Sequence, residues 1–481
     1  MIASNNEYDV VVIGSGPAGQ NAAIEAASRG ARTLIVERER RVGGACVQYG
    51  TIPSKTLRET AVTLTAFRRR SGGVYEISHD SQLSIASLMT RLDQVVDAHQ
   101  TTAEQSLELT DVERACGKAA FVSPHEIAIR NVKGETRVVT ARFVVIATGS
   151  RPRKPASTDV DHENILDSDS VLSMTYLPRS LVVQGSGVIA CEYASTFASL
   201  GVKVTMIDKY PGPLGFLDKD LVDVFLQRFR ESGGEFRGNC KVTSIDWDGV
   251  SAARVFFEDG EILTADKALI AQGRIANVDS LNLDNAGICA NERGLLDVND
   301  FCQTSVGHIY AVGDTIGPPA LASASMEQGR RAVCHALSGE RHSASGLIPA
   351  GIYTIPEMAT IGMTEAQAIK EYGGAMVGKV DFSRLARAHI MASSRGVLKL
   401  VADARGERLL GVQIAGDGAT ELVHLGQMAI LNEMSVDAFA TTVFNFPTMA
   451  EAYRIAAVEI IHERQSRQHT TARQMVDAES V

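Results

Sequence analysis

The sequence has no cysteine pair at C-x-x-C spacing, no apolar run long enough to cross a membrane and no excess of positive charge. Its seven cysteines are widely spaced: Cys46, Cys116, Cys191, Cys240, Cys289, Cys302 and Cys334. An odd number of scattered cysteines argues against a disulfide framework or a zinc ribbon and favours a reducing compartment, here the cytoplasm. No stretch of about 18 uncharged apolar residues occurs, so no membrane span is expected.

The charge balance narrows the choice of partners. There are 47 Lys and Arg against 57 Asp and Glu, which gives a net charge of -10. This acidic balance argues against a nucleic acid as the main partner. The N-terminal stretch MIASNNEYDV also lacks the charged and apolar regions of a signal peptide. A length of 481 residues with 45% apolar side chains predicts a soluble protein of about three domains.

Two segments share one layout. Residues 8–39 and 179–210 each read as an apolar strand, a glycine turn, a helix and a second apolar strand. The first glycine of each, Gly14 or Gly185, lies 23 residues before an acidic residue, Glu37 or Asp208. Two such units predict two dinucleotide sites and an α/β fold with two Rossmann-like domains.

The glycines of the first turn have separate tasks. Gly14 allows the tight turn, Gly16 lets the backbone approach a pyrophosphate, and Gly19 lets helix and strand pack closely. Glu37 is placed to accept hydrogen bonds from ribose hydroxyls, and the helix N-terminus favours the phosphates. The second turn repeats this pattern with Gly185, Gly187 and Ala190.

In the rest of the chain the sequence predicts secondary structure only approximately. Residues 56–110 are mostly helical, with an interruption near RRRSGG, and residues 309–337 read as strand, turn and helix. From about residue 350 we predict alternating strands and two helices. The polar residues 466–481 are expected to form a loose tail.

The motifs together resemble the pyridine nucleotide–disulfide oxidoreductases. They are GSGPAG, GGACVQYGTIPSK, ATGSRP, GSGVIACEYAS, AQGR, YAVGD and FNFPTMAEAY, in this order from about residue 8 to 462. The resemblance implies FAD in the first unit, NAD(P) in the second, inserted unit and a C-terminal interface domain that forms a homodimer or a larger homo-oligomer. The implied domains are residues 1–155 and 281–349 for FAD, 156–280 for NAD(P) and 350–465 for the interface.

The resemblance also implies cofactor-binding residues. Around FAD these are Gly14, Gly16, Gly19, Glu37, Arg38, Gly43, Gly44, Cys46, Thr51, Lys55, Gly149, Gly313, Asp314 and Ala322. Around the nicotinamide nucleotide they are Gly185, Gly187, Ala190, Glu192, Asp208, Lys209 and Gly273. No metal site is expected.

The chain departs from the family pattern at its redox centre. Disulfide reductases of this family use two thiols, but here Thr51 stands at the flavin-facing position and only Cys46 remains. A hydroxyl forms neither a disulfide nor a thiolate at neutral pH. Cys46 is therefore expected to be a small residue beside the flavin without redox function.

A second departure agrees with the first. The family carries an acid–base His before a Pro-Thr pair near the C-terminus, and Phe446 takes this place here. Phe transfers no proton. Glu451, which supports that His in the family, is expected to cap a helix or to lie at the core edge.

The residues that the family resemblance assigns to hydride transfer are all present in this sequence. The resemblance places Lys55 near flavin N5 and Glu192 beside the nicotinamide, and implies that they form an ion pair. A cation near N5 favours hydride arrival. The helix entered at ALASASMEQG is expected to direct its N-terminus toward N1 and O2 of the flavin.

These features predict an oxidoreductase that returns hydride from its flavin to a second nicotinamide nucleotide. Within the family the motifs resemble most closely the soluble pyridine nucleotide transhydrogenases, Si-specific enzymes that exchange hydride between NADPH and NAD+ in a ping-pong mechanism. The alternatives are an NAD(P)H diaphorase or quinone reductase, a disulfide reductase resembling dihydrolipoyl dehydrogenase, and a non-enzymatic flavin-binding partner protein.

Asp208 conflicts with the use of NADP(H). A carboxylate there favours the 2′-hydroxyl of NAD(H). At roughly 5 Å and an effective dielectric constant of about 20 it repels a 2′-phosphate by about 3 kcal/mol, which is more than a hundredfold in affinity. Lys209 and Lys203 are expected to offset part of this repulsion.

Overall fold

The computed structural model describes residues 6–71, 85–341 and 346–479. The chain forms two compact units. Unit 1 comprises Met1–Leu57, Leu83–Leu177 and Leu269–Ala344, and unit 2 comprises Arg58–Gln82, Pro178–Ala268 and Ser345–Val481.

Runs of consecutive strands are separated by single helices or short groups of helices. The strands are β1 (Glu7–Ile13), β2 (Thr33–Glu37), β3 (Glu113–Cys116), β4 (Lys118–Ser123), β5 (Glu126–Arg130), β6 (Thr136–Ile146), β7 (Ser150–Pro152), β8 (Ile165–Asp167), β9 (Ser180–Gln184), β10 (Lys203–Ile207), β11 (Glu235–Arg237), β12 (Val242–Trp247), β13 (Ala253–Phe257), β14 (Ile262–Ala265), β15 (Lys267–Ile270), β16 (Arg274–Ala276), β17 (Ile309–Ala311), β18 (Ala350–Ile352), β19 (Met358–Gly362), β20 (Ala375–Asp381), β21 (Val397–Asp403) and β22 (Leu409–Ala415). The α-helices are α1 (Pro17–Ser28), α2 (Gly44–Gln48), α3 (Thr51–Ser71), α4 (Ile85–Leu109), α5 (Val188–Ser199), α6 (Lys219–Glu231), α7 (Ala322–Ser338), α8 (Glu365–Tyr372), α9 (Ala386–Ile390), α10 (Ala419–Leu431), α11 (Val436–Thr441) and α12 (Glu451–Glu479). Short 3-10 helices lie at Val171–Ser173, Leu283–Ala286, Gly313–Ile316 and Phe382–Arg384.

The main sheet of unit 1 has the order β3-β2-β1-β6-β5-β4, with β17 beside β6. β1 pairs in parallel with β2 and β6, while β4, β5 and β6 pair antiparallel. The central strand β1 is almost wholly buried because its run Val10, Val11 and Val12 is covered on both faces. The glycine turn therefore follows a rigid parallel strand.

Helices α1 and α7 pack tightly beside this sheet. At Gly329 on α7, a Cβ atom would lie 2.1 Å from the carbonyl oxygen of Ala18 on α1. Only glycine permits this approach. The packing fixes α1, and with it the start of the helix after the first glycine turn.

Unit 2 contains the second strand–turn–helix segment and an antiparallel sheet. In the first part β9, β10 and β11 are parallel neighbours, and β12, β13 and β14 form a separate antiparallel meander. The later sheet has the order β18-β19-β22-β21-β20. α12 lies directly against β20, because a Cβ atom at Gly378 would lie 2.0 Å from the carbonyl oxygen of Ala456.

The predicted fold class is confirmed, and several details differ. The region 56–110 is helical as expected, although residues 72–84 lie outside the described residues. Beyond residue 350 the described chain has α8–α12 rather than two helices. Residues 156–177, assigned by sequence to the NAD(P) domain, lie in unit 1, and residues 269–280 do so as well.

The prediction of a loose tail is wrong for residues 466–479, which continue α12. The stretch lacks Gly and Pro, and two Gln, two Arg, two Ala, one Met and one Glu among its residues favour helix even without an apolar stripe. An i,i+4 ion pair between Arg467 and Glu463 supports the same conformation.

Candidate functional site

The first glycine turn has the geometry that the sequence predicts. Gly14 has φ 104°, and a Cβ atom there would lie 2.4 Å from the carbonyl oxygen of Ala147. A Cβ atom at Gly19 would lie 1.9 Å from the carbonyl oxygen of Gly14. At Gly16, by contrast, no heavy atom lies within 4 Å of the Cβ position. The outer two glycines are required by packing, whereas Gly16 faces open space at the N-terminus of α1.

The acidic residue at the end of β2 is held by this same turn. Glu37 accepts hydrogen bonds from the Ser15 hydroxyl at 2.6 Å and from the Ser15 backbone N–H at 2.9 Å. Its other oxygen accepts from the Glu39 backbone N–H at 3.0 Å. The carboxylate is thus oriented in advance beside the turn. The neighbouring Arg38 is exposed and pairs with Glu39.

The second turn repeats the first. Gly185 has φ 123°, Gly187 faces open space, and Ala190 is fully buried in α5. Asp208 accepts a hydrogen bond from the Ser186 hydroxyl at 2.7 Å and from the Tyr210 backbone N–H at 3.1 Å. The duplication predicted from the sequence therefore extends to the serine between the first two glycines of each turn.

The lysines near Asp208 differ in position. Lys209 follows Asp208 directly, and its Nζ lies 5.1 Å from the centre of the exposed Tyr210 ring. Lys203 begins β10, five residues before Asp208, so roughly 16 Å of strand separates them. The expected contribution of Lys203 at the ribose is therefore wrong, because a strand carries it to the opposite end of the sheet.

Cys46 and Thr51 lie side by side. Gly43 and Gly44 have φ 110° and 58°, and a Cβ atom at Gly44 would lie 2.8 Å from Cα of Gly16, which sets α2 against the first turn. Burial raises the pKa of the Cys46 thiol, while a hydrogen bond with the Thr51 side chain and the charge of Lys55 offset part of that rise. The net direction is upward, so the thiol stays protonated at neutral pH.

A polar cluster surrounds Asp314. The Ser150 hydroxyl donates to Asp314 at 2.6 Å, and Arg274 donates to the hydroxyl and the carbonyl oxygen of Ser150 at 2.8 Å each. Gln328 of α7 accepts from the Gly313 N–H at 2.8 Å. The cluster ties Asp314 to the ends of β7 and β16.

The remaining predicted residues of unit 1 flank this cluster. Gly149 has φ 64° and Gly273 has φ 95°, which places both in the left-handed region. The Arg153 N–H donates to the Gly273 carbonyl oxygen at 3.0 Å. Ala322, expected to contact FAD, is the first residue of α7.

Two buried polar atoms fit a bound nucleotide. Among the described residues, four side-chain atoms are buried without a hydrogen-bond partner, and two of them, Thr148 Oγ1 and Gln184 Oε1, lie at the glycine turns. Thr148 adjoins the first turn, since its Cα lies 3.2 Å from the Cβ position of Gly14, and Gln184 immediately precedes Gly185. Unsatisfied polar atoms at both turns are expected where a ligand supplies the missing partner.

Glu192 is buried in α5, 8% exposed, and accepts a 2.8 Å hydrogen bond from the Tyr353 backbone N–H. Lys55 lies in the first turns of α3. Lys55 belongs to unit 1 and Glu192 to unit 2. Their ion pair therefore stays a prediction.

At the C-terminal motif, Phe446 is 69% exposed. Its position at the acid–base His of the family pattern stays a prediction. Glu451 is the first residue of α12 and accepts from the Thr448 N–H at 3.3 Å. This contact is that of a carboxylate at a helix N-terminus, as predicted.

The structure also contains residues that the sequence reasoning missed, above all Ser15, Ser186, Ser150 and Arg274. A signal was present for the first two, because both turns read Gly-Ser-Gly. Ser150 and Arg274 are 124 residues apart in the chain, and no local pattern connects them.

Known proteins match this architecture over nearly the whole chain. The family model described as pyridine nucleotide-disulphide oxidoreductase matches residues 8–329, and the model of its dimerisation domain matches residues 348–457. The chain belongs to this family. The family expected from the motifs, and the oxidoreductase class with it, are thereby confirmed.

Two curated relatives are soluble pyridine nucleotide transhydrogenases. That of Mycobacterium bovis BCG is 41% identical over 95% of this chain and 98% of its own, and that of Klebsiella pneumoniae is 41% identical over 94% and 97%.

Two solved structures are similar as well. The HOCl-induced flavoprotein disulfide reductase RclA from Escherichia coli has a TM-score of 0.83 at 26% identity, covering 93% of this chain and 98% of its own. LpdA from Mycobacterium tuberculosis has a TM-score of 0.86 at 27% identity, covering 94% and 99%.

Proposed function

We propose that this protein catalyses FAD-dependent hydride transfer between NADPH and NAD+ without a redox-active disulfide. The observation that carries the proposal is the pair Cys46 and Thr51. The thiol is hydrogen-bonded to a hydroxyl, and burial raises its pKa. The reduced flavin has no pair of thiols beside it to accept its electrons. A second nicotinamide nucleotide, bound at the second glycine turn, is therefore the proposed electron acceptor.

The binding residues divide between two nucleotides. FAD, held non-covalently with one molecule per subunit, belongs to the first turn in unit 1, with Glu37 accepting from its ribose and the N-terminus of α1 facing its pyrophosphate. Asp314, which accepts a hydrogen bond from the Ser150 hydroxyl, would hold the ribityl and pyrophosphate region of FAD. NAD(H) and NADP(H) belong to the second turn in unit 2, with Asp208 and Lys209 at the adenosine ribose.

When bound, FAD supplies a ring that takes a hydride from one nicotinamide nucleotide and gives it to another. Lys55 then provides a positive charge beside the ring. Glu192, whose carboxylate is held by the Tyr353 N–H, lies beside the nicotinamide. Cys46 remains a neutral thiol throughout.

The relatives named transhydrogenases and the dimerisation-domain match support two further proposals. The protein acts as a homodimer, and side chains such as Leu425, Met428 and Val443 in the matched region are large, apolar and exposed. It works in the cytoplasm, consistent with seven free cysteines. In the described part of the chain, no helix has the length and apolar character needed to cross a membrane.

Anaerobic stopped-flow spectroscopy tests the proposed reaction. The holoenzyme is reduced with NADPH while flavin bleaching is followed, and thio-NAD+ is then added. We expect the flavin to bleach and then to reoxidise as thio-NADH forms, whereas oxidised lipoamide leaves it bleached. A flavin that bleaches but is reoxidised only by lipoamide would contradict the proposal.

The second candidate is a diaphorase that uses NADH alone. It is favoured by Asp208, because its carboxylate is fixed at the end of β10 where a 2′-phosphate would have to lie. In the same experiment, bleaching by NADH but not by NADPH, followed by rapid quinone turnover, would favour this function.

A further inference from the structure

A loop in unit 2 is fastened on both sides by buried side chains. This 353–357 loop (residues 353–357) joins β18 to β19, and its residues Thr354, Ile355 and Pro356 are buried. Thr354 is fully buried, and its hydroxyl donates to the Pro356 carbonyl oxygen at 2.6 Å. The loop is therefore part of the core rather than a surface connection.

Helix α5 fastens one side of the loop. The Tyr353 N–H donates to Glu192 Oε1 at 2.8 Å, and the Ile355 N–H donates to Ser195 Oγ at 3.1 Å. Glu192 and Ser195 lie three residues apart and so share a face of the helix. The direction of the Glu192 carboxylate is thus tied to the backbone of the loop.

Arg58 fastens the other side. Its side chain is 4% exposed, its Nε donates to the Thr354 carbonyl oxygen at 3.1 Å, and its guanidinium pairs with Glu357 at 3.0 Å. It also pairs with the exposed Glu59. One planar cation thus contacts the loop at two positions three residues apart.

Glu357 extends the fastening to helix α10. Its second oxygen accepts from the Thr420 hydroxyl at 2.8 Å and from the Thr420 N–H at 3.2 Å. Thr420 also forms a side-chain hydrogen bond with Tyr353. Arg58, Glu357, Thr420 and Tyr353 therefore form a continuous network that ends at Glu192.

We infer that Arg58 is a positioning residue for Glu192, which acts through the 353–357 loop to hold that carboxylate in place for the reaction of the nicotinamide nucleotide. The inference rests on the proposed function only in that Glu192 faces the nicotinamide. The partners of Arg58 are Thr354, Glu357 and Glu59, so its effect on Glu192 passes through the loop. It lies on α3, three residues after Lys55, so the sequence TIPSKTLR carries both residues on consecutive turns.

The energetics favour a specific role over general packing. A buried guanidinium is costly unless paired, and removing it leaves the Glu357 carboxylate without its cation. The loop backbone would then shift, and the Tyr353 N–H with it. Displacing a group near the reacting atoms by about 1 Å lowers a rate by up to about a hundredfold without abolishing binding.

The test compares Arg58→Met and Arg58→Lys with Arg464→Met in the holoenzyme. Arg464 pairs with Asp437 at 2.6 Å in the same unit and is partly buried, with 18% of its side chain exposed, but it belongs to α12 and its hydrogen bonds go to Asp437 and Gly406 rather than to the loop. The rate of flavin reduction and the dissociation constant of NADH are measured anaerobically. Amide hydrogen exchange is followed by mass spectrometry on the peptide that covers residues 353–357.

For Arg58→Met we expect a flavin reduction rate at least tenfold lower, with an unchanged NADH dissociation constant and faster exchange of the Tyr353 and Ile355 amides. Arg58→Lys keeps the charge but loses the planar fork, so it is expected to recover only part of both effects. Arg464→Met is expected to lower thermal stability while leaving the reduction rate and the exchange of the peptide near those of the wild type.

Ser195→Ala supplies an independent variant if the Arg58 variants do not fold. It removes the acceptor of the Ile355 N–H and leaves Arg58 in place, so faster exchange at residue 355 with slower flavin reduction supports the inference. Unchanged exchange and reduction in the folded variants overturn it, and so does an equal slowing in Arg464→Met. All readouts use NADH alone, so they remain informative even when the wild type fails to transfer hydride from NADPH.

Discussion

The hydroxyl of Ser186 donates a 2.7 Å hydrogen bond to Asp208, as that of Ser15 does to Glu37 at 2.6 Å. In each turn the serine lies between the first two glycines and the acid ends the following strand. The two glycine turns therefore orient their carboxylates in the same way, and under the proposed function the second carboxylate bears on the choice between NAD(H) and NADP(H).

Asp208→Asn is predicted to shift nucleotide preference toward NADPH. The change keeps the size of the side chain and removes the charge that repels a 2′-phosphate by about 3 kcal/mol at an effective dielectric constant of about 20. We expect the ratio of kcat/KM for NADPH to that for NADH to rise at least tenfold, measured by anaerobic flavin reduction. Asp208→Glu, which keeps the charge, serves as control; an unchanged ratio in Asp208→Asn would show that Asp208 does not face the ribose.

Alanine substitutions of Ser15 and Ser186 test whether the first glycine turn binds FAD and the second binds NADH. Ser186→Ala removes one hydrogen bond of about 1 kcal/mol, so NADH binding is predicted to weaken about fivefold while FAD affinity stays the same. Ser15→Ala is predicted to do the reverse. Isothermal titration with NADH and equilibrium dialysis of FAD measure the two affinities. If either variant weakens both nucleotides equally, the separate assignment of the turns is wrong.

Cys46→Ser is predicted to retain most of the activity, whereas Lys55→Met is predicted to slow flavin reduction at least tenfold. The reason is that the thiol has no partner for electron transfer, while Lys55 supplies charge beside the ring. Single-turnover flavin reduction at matched FAD content measures both. Loss of turnover in Cys46→Ser with FAD still bound would restore a thiol mechanism.

The raised pKa of Cys46 has a pH signature of its own. A neutral thiol reacts slowly with iodoacetamide, and a raised pKa keeps it neutral to higher pH. Alkylation of the Cys46 peptide, followed by mass spectrometry, is therefore predicted to be slower than that of an ordinary free thiol at every pH from about 7 to 9, and to level off at a higher pH. The exposed Cys116 is the internal control. Rapid alkylation of Cys46 at pH 7 would contradict this prediction.

Lys399→Met is predicted to destabilise unit 2. Lys399 is 3% exposed and pairs with Asp218 at 2.9 Å, Asp220 at 3.1 Å and Glu365 at 2.6 Å. Removing a buried partner costs about 3–5 kcal/mol, and since the carboxylates retain access to water we expect about 2 kcal/mol. Urea unfolding at pH 7 measures the change.

The same cluster predicts how that loss depends on pH. Burial raises the pKa of Asp220, but the hydrogen bonds and charges of Lys379 and Lys399 together lower it by more. The pKa of Asp220 in the folded state is therefore below its ordinary value. The stability it contributes is present above the unfolded pKa of about 4 and is lost as pH falls through the lower folded value. The difference between wild type and Lys399→Met is therefore expected to shrink as the pH falls below about 4, toward the lowered pKa of Asp220 in the folded state. A constant difference would show that the ion pairs are not its cause.

Local turn chemistry made the nucleotide sites readable in advance. Gly14, Gly19 and Gly185 sit where a Cβ atom would clash or where φ is positive, so the chain has little choice of residue there. The missing second thiol at Thr51 was equally visible, because it lies five residues from Cys46. The expected role of Lys203 was wrong because Lys203 and Asp208, although only five residues apart, lie at opposite ends of the extended strand β10.

The sequence by itself determined the two glycine turns and their acidic ends, and it showed Thr51 and Phe446 at two positions of the family motifs, since each is a matter of residue type at a fixed short spacing. Only the tertiary structure decided what orients those groups. Arg58 meets Thr354 across 296 positions, and Glu192 meets Tyr353 across 161. Such contacts form where folding brings distant segments into one core. The pattern of residue types along the sequence does not indicate which buried polar groups will form hydrogen bonds with each other.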